Sequence, residues 1–116
     1  MFLANIKLKK EVFGNLHYYL AKIKETVLNV DQNTKVYLFG SAATGDYNMA
    51  SDIDILIVSS KDRNIIQNAL DKENLGFPFE FHIRNEKTAE PYFIHVKKMI
   101  LIWNDGIKIY KISTEY

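Results

Sequence analysis

The chain contains no cysteine, so no disulfide framework and no thiolate zinc site holds it together. That absence suits a reducing interior, with the cytoplasm as the expected compartment. A dominant charge is also missing. Fifteen Lys and Arg against fourteen Asp and Glu leave a formal net charge of +1, too little for a general field that would draw in nucleic acid or an anionic membrane. No basic stripe is present, which argues against a nucleic-acid-binding surface. No stretch approaches the roughly 20 apolar residues of a membrane span, and Met1-Phe2-Leu3-Ala4 runs at once into Asn5 and Lys7 without the apolar core of a signal peptide. Repeats, linkers and low-complexity segments are lacking. A chain of 116 residues is long enough for one respectable core and too short for two, so a single domain over 1–116 is expected.

What is present is a sequence of alternating helical and strand patterns. Val12, Leu16, Tyr19, Leu20, Ile23, Val27 and Leu28 recur mostly three or four apart and predict one amphipathic helix from about Ile6 to Val30. Asp31-Gln32-Asn33-Thr34 reads as the turn that ends it. Lys35 to Phe39 then reads as a buried strand stopped by Gly40, and Ile53 to Val58 as a second strand covered on both faces. Ser59 and Ser60 are candidate N-caps for a helix running to Glu73, broken by Gly76. The alternation after Pro78 predicts a third strand with Phe79, Phe81 and Ile83 on one face and Glu80 and His82 on the other. A last helix is expected over about Thr88 to Ile102, started near Pro91, followed by an Asn104-Asp105-Gly106 turn and a late strand or extended tail at Ile107 to Tyr110. The alternative makes Met99 to Trp103 a strand of a hairpin through that turn. Either way the order argues an α/β (α+β) domain around a small mixed sheet flanked by helices.

Chemistry concentrates in LFGSAATGDYNMASDIDILIV, residues Leu38 to Val58. Asp52 and Asp54 are two apart, and on a strand such residues share a face with roughly 6.6 Å between their α-carbons. Two like charges about 5 Å apart repel by about 3 kcal/mol at an effective dielectric of about 20, so the pair asks for a compensating cation. Oxygen-only ligands favour a hard ion such as Mg²⁺. On its own the Asp-x-Asp reads equally as a turn or cap at Ser51-Asp52 with Asp54 at an exposed strand edge. Upstream, Gly40-Ser41 ends a buried strand where backbone N–H groups and the Ser41 hydroxyl can face an anion, and Gly45 permits a close backbone approach or positive φ. The plain alternative there is a glycine turn.

Gly40-Ser41, Gly45 and Ser51-Asp52-Ile53-Asp54 with an apolar strand after it resemble the signature of the nucleotidyltransferase superfamily related to DNA polymerase β, in particular its minimal, antitoxin-type nucleotidyltransferases. The specific part of the match is the fifteen residues from Gly40 to Asp54. The resemblance implies the polymerase β-like fold and a nucleotide triphosphate held at Gly40, Ser41, Gly45 and Ser51. It also implies two Mg²⁺ ions on Asp52, Asp54 and a third acid on the following strand. Glu80 is the residue that matches that third acid, although relatives more often carry aspartate there; the alternative for Glu80 is a solvent-facing strand residue. His82 reads as a polar neighbour or substrate contact and is not counted as a ligand. Relatives commonly carry an arginine between the two glycines, where this chain has Ala42-Ala43-Thr44, so Lys61, Arg84 or a partner subunit is left to supply that charge.

The activity so implied is transfer of a nucleoside monophosphate, AMP from ATP first, to a hydroxyl. One implied acceptor is a tyrosine of a helical HEPN-type toxin partner, for which Tyr92, Phe93 and Trp103 are candidate surface aromatics, although each reads more readily as core. The alternative is an inactive or weak nucleotidyltransferase-fold antitoxin that acts by protein binding alone.

Overall fold

The computed structural model describes residues 2–46, 48, 50–103 and 109–113. Its elements are α1 (Phe2–Gly14), α2 (Leu16–Val30), β1 (Lys35–Phe39), α3 (Ser41–Thr44), β2 (Ile53–Val58), α4 (Arg63–Lys72), β3 (Phe79–Arg84), α5 (Glu86–His95), β4 (Lys98–Ile102) and β5 (Ile109–Ser113). The strands form one sheet in the order β3-β2-β1-β4-β5. Among the described residues only β2 and β3 run parallel within it; the other neighbours are antiparallel. This is the expected mixed sheet flanked by helices. Among the described residues no helix is long and apolar enough to cross a membrane.

The period-two pattern of β2 explains why the acids sit beside so apolar a run. Ile53, Ile55 and Ile57 face one side, where Leu20, Ile23 and Val27 of α2 and Ile66 and Leu70 of α4 cover them. Leu56 and Val58 face the other side, packed with Tyr37, Phe39 and Met99 under Ala89, Tyr92, Phe93 and Val96 of the α5 segment. Burial on both faces anchors β2 in the sheet, and Asp54 projects near its start on the α5 side. Ile55 is fully buried, and its truncation to alanine is expected to cost about 3 kcal/mol through lost burial and a residual cavity. Urea denaturation checks this: the midpoint should fall with an unchanged m-value.

Several boundaries differ from expectation. The single helix over Ile6 to Val30 is two helices, interrupted at Asn15, whose N–H donates to the Val12 carbonyl (3.1 Å) while its side-chain amide donates to the Glu11 carbonyl (2.9 Å). Gly14-Asn15 is a helix-ending pair, and the apolar spacing that continues across it masked the break. The N-cap of α4 is Asp62, whose carboxylate accepts from the Asn64 N–H at 2.8 Å, rather than Ser59 or Ser60. Ser59 is engaged otherwise: its hydroxyl donates to Asp31 at 2.7 Å, tying the α2–β1 turn to the end of β2. That bond holds the Asp31 carboxyl below the usual carboxylate range. The same α4 ends at Lys72, before Gly76, with Asn74 at φ 58°.

The helix expected over Thr88 to Ile102 divides into α5 and β4. A capping box of Asn85 and Thr88 starts α5 upstream of Pro91, which lies inside the helix. The backbone turns extended at Val96 (φ −80°, ψ 127°), and Met99 to Ile102 join β1 and β5 in the sheet. The hairpin alternative therefore describes this region. Its Asn104-Asp105-Gly106 turn, and Ile107 and Lys108 of the late strand, lie outside the described residues, while Ile109 and Tyr110 open β5.

Candidate active site

Register places the site. In the β1–β2 pair Phe39 stands opposite Asp54, and in the parallel β2–β3 pair Asp54 stands beside Glu80. The end of β1 and the beginnings of β2 and β3 thus meet at one end of the sheet. Gly40, the residue after Phe39, turns there with φ 74° and ψ −158°. A β-carbon at Gly40 would overlap the Asp54 carboxylate, lying 3.2 Å from its Cγ and 3.3 Å from its Cβ. Glycine is required at position 40 both by the backbone conformation and by the carboxylate that crosses it.

Beyond Gly40 the chain makes the single turn α3, in which the Gly40 carbonyl accepts from Ala43 (3.1 Å) and Thr44 (3.2 Å). The amides of Ser41 and Ala42 precede these bonds, as the opening N–H groups of any helical turn do. Gly45 closes the turn in the left-handed region (φ 85°) with its N–H on the Ser41 carbonyl at 2.9 Å; space is open around it, so only the conformation calls for glycine. Ala43 is buried in the main core and the Thr44 hydroxyl donates to the Ser41 carbonyl at 3.2 Å. Ser51 closes the approach to β2, accepting the Asn48 N–H on its hydroxyl at 3.3 Å.

Three side chains converge on the α5 face. His82 Nε2 lies 3.4 Å from Asp54 Oδ1 and 3.2 Å from Glu80 Oε1. Each of the three offers a ligand atom within 4.8 Å of the others. The side chain of Asp54 is 27% exposed, that of His82 20% and that of Glu80 55%, so the cluster is rooted in the fold and open on one side. Glu80 is therefore placed with Asp54 as the sequence suggested. Asp52 is exposed and precedes the first residue of β2, so the strand pairing expected of Asp52 with Asp54 is a loop residue beside a strand residue. Asp52 stands outside the three-residue group, although its charge reaches Asp54. Partial burial pushes the Asp54 carboxyl above the usual carboxylate range, with the Glu80 and Asp52 charges acting in the same direction; the His82 hydrogen bond opposes them.

His82 is the residue that sequence reasoning undervalued. Its ring sits edge-on to Phe39 (5.0 Å between centroids) and to Tyr92 (5.6 Å), and its Nδ1 is 3.1 Å from the Tyr92 hydroxyl. The available signal was the Glu80-x-His82 spacing, which puts both side chains on one strand face. Of the other aromatics, Tyr92 and Phe93 pack under α5 against the sheet and Trp103 is 44% exposed. The backbones of Arg84 and Lys61, the cations named for that charge, lie at the opposite end of β2 from Gly40. Arg84 pairs with Val58 at the far end of β2, donates to the Ile83 carbonyl at 2.9 Å and stacks on Tyr92, and Lys61 follows that same far end.

The donor set fits a divalent cation. Two carboxylates and an imidazole offer the hard and borderline ligands such ions take, and the two Nε2 to oxygen spacings are near the roughly 3 Å that separates adjacent ligands on an ion with bonds of about 2.1 Å.

Comparison with known proteins adds the lineage. The family model described as "Nucleotidyltransferase domain" matches residues 20–110. The fold is similar to a solved structure described as "Crystal structure of putative nucleotidyltransferase", at 34% identity and a TM-score of 0.59 over 71% of this chain and 95% of that one. A second, from Sulfolobus solfataricus and described as a "putative nucleotidyltransferase", matches at 26% identity and a TM-score of 0.49 over 79% of this chain and 88% of that one. No curated protein matches the chain. A family match spanning most of the chain, from α2 into β5 and through every residue of the Gly40 turn and the Asp54 cluster, places this protein in the nucleotidyltransferase domain family.

Proposed function

We propose that this chain is a metal-dependent nucleotidyltransferase that moves a nucleoside monophosphate, AMP from ATP first, onto a hydroxyl. The observation that carries the reading is the meeting of Asp54, Glu80 and the Gly40 turn at one end of the sheet. In this reading Gly40, Ser41 and Gly45 seat the triphosphate against backbone amides, and Ser51 shapes the loop beneath it. Asp52, Asp54 and Glu80 hold divalent ions, Mg²⁺ in the family pattern, which when bound supply charge stabilisation at the attacking and leaving oxygens of an in-line displacement. Glu80, the most open of the cluster, takes the proton of the acceptor hydroxyl. The freed oxygen bonds to the α-phosphorus as the bond to pyrophosphate breaks.

The near-neutral charge of the chain provides no field to draw in a nucleic acid, which supports a protein acceptor. The resemblance to minimal nucleotidyltransferases makes a tyrosine of a HEPN-type toxin the first acceptor to try, in the cytoplasm. A second reading, an antitoxin acting by contact alone, is favoured by one observation: Ala42-Ala43-Thr44 carries no cation.

Incubation with α-labelled ATP, Mg²⁺ and candidate hydroxyl acceptors tests the proposal. Label should become covalently attached to an acceptor with release of pyrophosphate, and the Asp52→Asn/Asp54→Asn double variant should transfer none. Equal labelling by the double variant, or none by the wild type with any acceptor, overturns it.

A further inference from the structure

We infer that His82 is itself a metal ligand, held for that task by Tyr92, and that the site consequently prefers Mn²⁺ to Mg²⁺. The inference rests on the metal-dependent reading above and deepens it. Its basis is geometric. His82 Nε2 approaches both carboxylates at nearly equal distances, 3.2 Å to Glu80 Oε1 and 3.4 Å to Asp54 Oδ1, as a third corner of a ligand triangle does. With no cation present, an Nε2–H donates to Asp54 Oδ1, with Glu80 Oε1 lying beside it. A cation among the three needs the Nε2 lone pair, so the ring proton must then reside on Nδ1.

Tyr92 permits both arrangements. Its hydroxyl lies 3.1 Å from Nδ1 and either donates to an unprotonated Nδ1 or accepts from Nδ1–H. The ring cannot swing aside cheaply, because Phe39 and Tyr92 flank it edge-on at 5.0 and 5.6 Å. A hydrogen bond to the far nitrogen and a fixed ring plane are what a metal-binding imidazole ordinarily receives from its surroundings. The resulting donor set is one nitrogen with two or three carboxylates. Mg²⁺ favours all-oxygen sites, whereas a first-row transition ion accepts the imidazole as well.

The full chain titrated with Mn²⁺ and examined by electron spin-echo envelope modulation gives a direct readout. The expected spectrum carries ¹⁴N modulation from a coordinated imidazole, absent in His82→Gln. That variant should still bind Mn²⁺ through the carboxylates about tenfold more weakly, with Mg²⁺ affinity nearly unchanged, so the Mn²⁺ preference shrinks by the same factor. Tyr92→Phe should retain the modulation while binding Mn²⁺ about tenfold more weakly. Mn²⁺ bound at this site, as shown by its loss in Asp54→Asn, but without ¹⁴N modulation in the wild type overturns the role of His82 and leaves the metal-dependent function standing. An unchanged Mn²⁺ to Mg²⁺ preference in His82→Gln overturns it as well. Failure of the wild type to bind either ion overturns the inference and the metal-dependent reading together.

Discussion

Asp54→Asn is expected to lower nucleotidyl transfer by about a thousandfold while making the metal-free fold more stable at neutral pH. The loss corresponds to about 4 kcal/mol of transition-state stabilisation, a fair magnitude for removing a carboxylate that holds charge-neutralising ions at the reacting phosphate. The stability gain follows from the carboxyl's surroundings. Burial first, then the charges of Glu80 and Asp52, raise the Asp54 pKa in the folded chain despite the opposing His82 hydrogen bond. The folded chain therefore keeps this proton to higher pH than the unfolded chain does. Stability linked to the group is fully present below the ordinary carboxylate value, about 3.9, and is lost as pH rises through the raised one. Asparagine carries no charge to desolvate, so the variant's advantage should appear at neutral pH and vanish below about pH 4. Urea midpoints at the two pH values, alongside transfer rates, check both halves. An asparagine variant that is less stable at neutral pH, or equally active, would show that Asp54 is a structural residue.

Gly40→Ala is expected to cost about 4 kcal/mol of stability and most of the activity, while Gly45→Ala, five residues on, should cost only about 1 kcal/mol. At φ 74° and ψ −158°, residue 40 occupies a region that is essentially glycine's alone, at a penalty of order 1–3 kcal/mol for any other residue. The alanine methyl would also collide with the Asp54 carboxylate, and relieving that overlap costs about 1–3 kcal/mol more. The relief must come from shifting Asp54, Gly40 or both, which pulls the carboxylate away from Glu80 and His82. Gly45, by contrast, is left-handed but surrounded by open space, so its replacement meets only the backbone penalty. Denaturation midpoints of the two variants side by side separate the effects. Equal costs at both positions would mean that the Asp54 contact does not constrain Gly40.

The contrast between these two glycines marks how far the sequence could be read. Glycine at 40 and 45, carboxylates at 52 and 54 and a strand with Glu80 opposite Phe79 and Phe81 were all local patterns, and β1 and β2 begin and end where those patterns place them. Pairing is not local. Nothing near Gly40 tells that the register sets Phe39 opposite Asp54, and nothing near Glu80 tells that a parallel pairing sets it beside Asp54. For the same reason His82 looked like a strand neighbour of Glu80 alone, when it also engages Asp54, 28 residues upstream, and Tyr92, ten downstream. Met99 to Ile102 shows a different limit. A short apolar run suits a buried helix or a buried strand equally, and only the vacant edge of β1 decides for a strand. At Gly14-Asn15 the signal was present, yet seven apolar residues spaced as on one helix outweighed it.

The central claim is that this cluster engages a nucleotide through a metal ion, and calorimetric titration of the wild-type chain with ATP tests it most directly. Binding is expected with Mg²⁺ or Mn²⁺ present, should disappear when the ion is chelated, and should be absent in Asp54→Asn under either condition. ATP binding that is indifferent to metal, or no binding with either ion, would contradict the claim and leave a nucleotidyltransferase fold that works by contact with a partner alone.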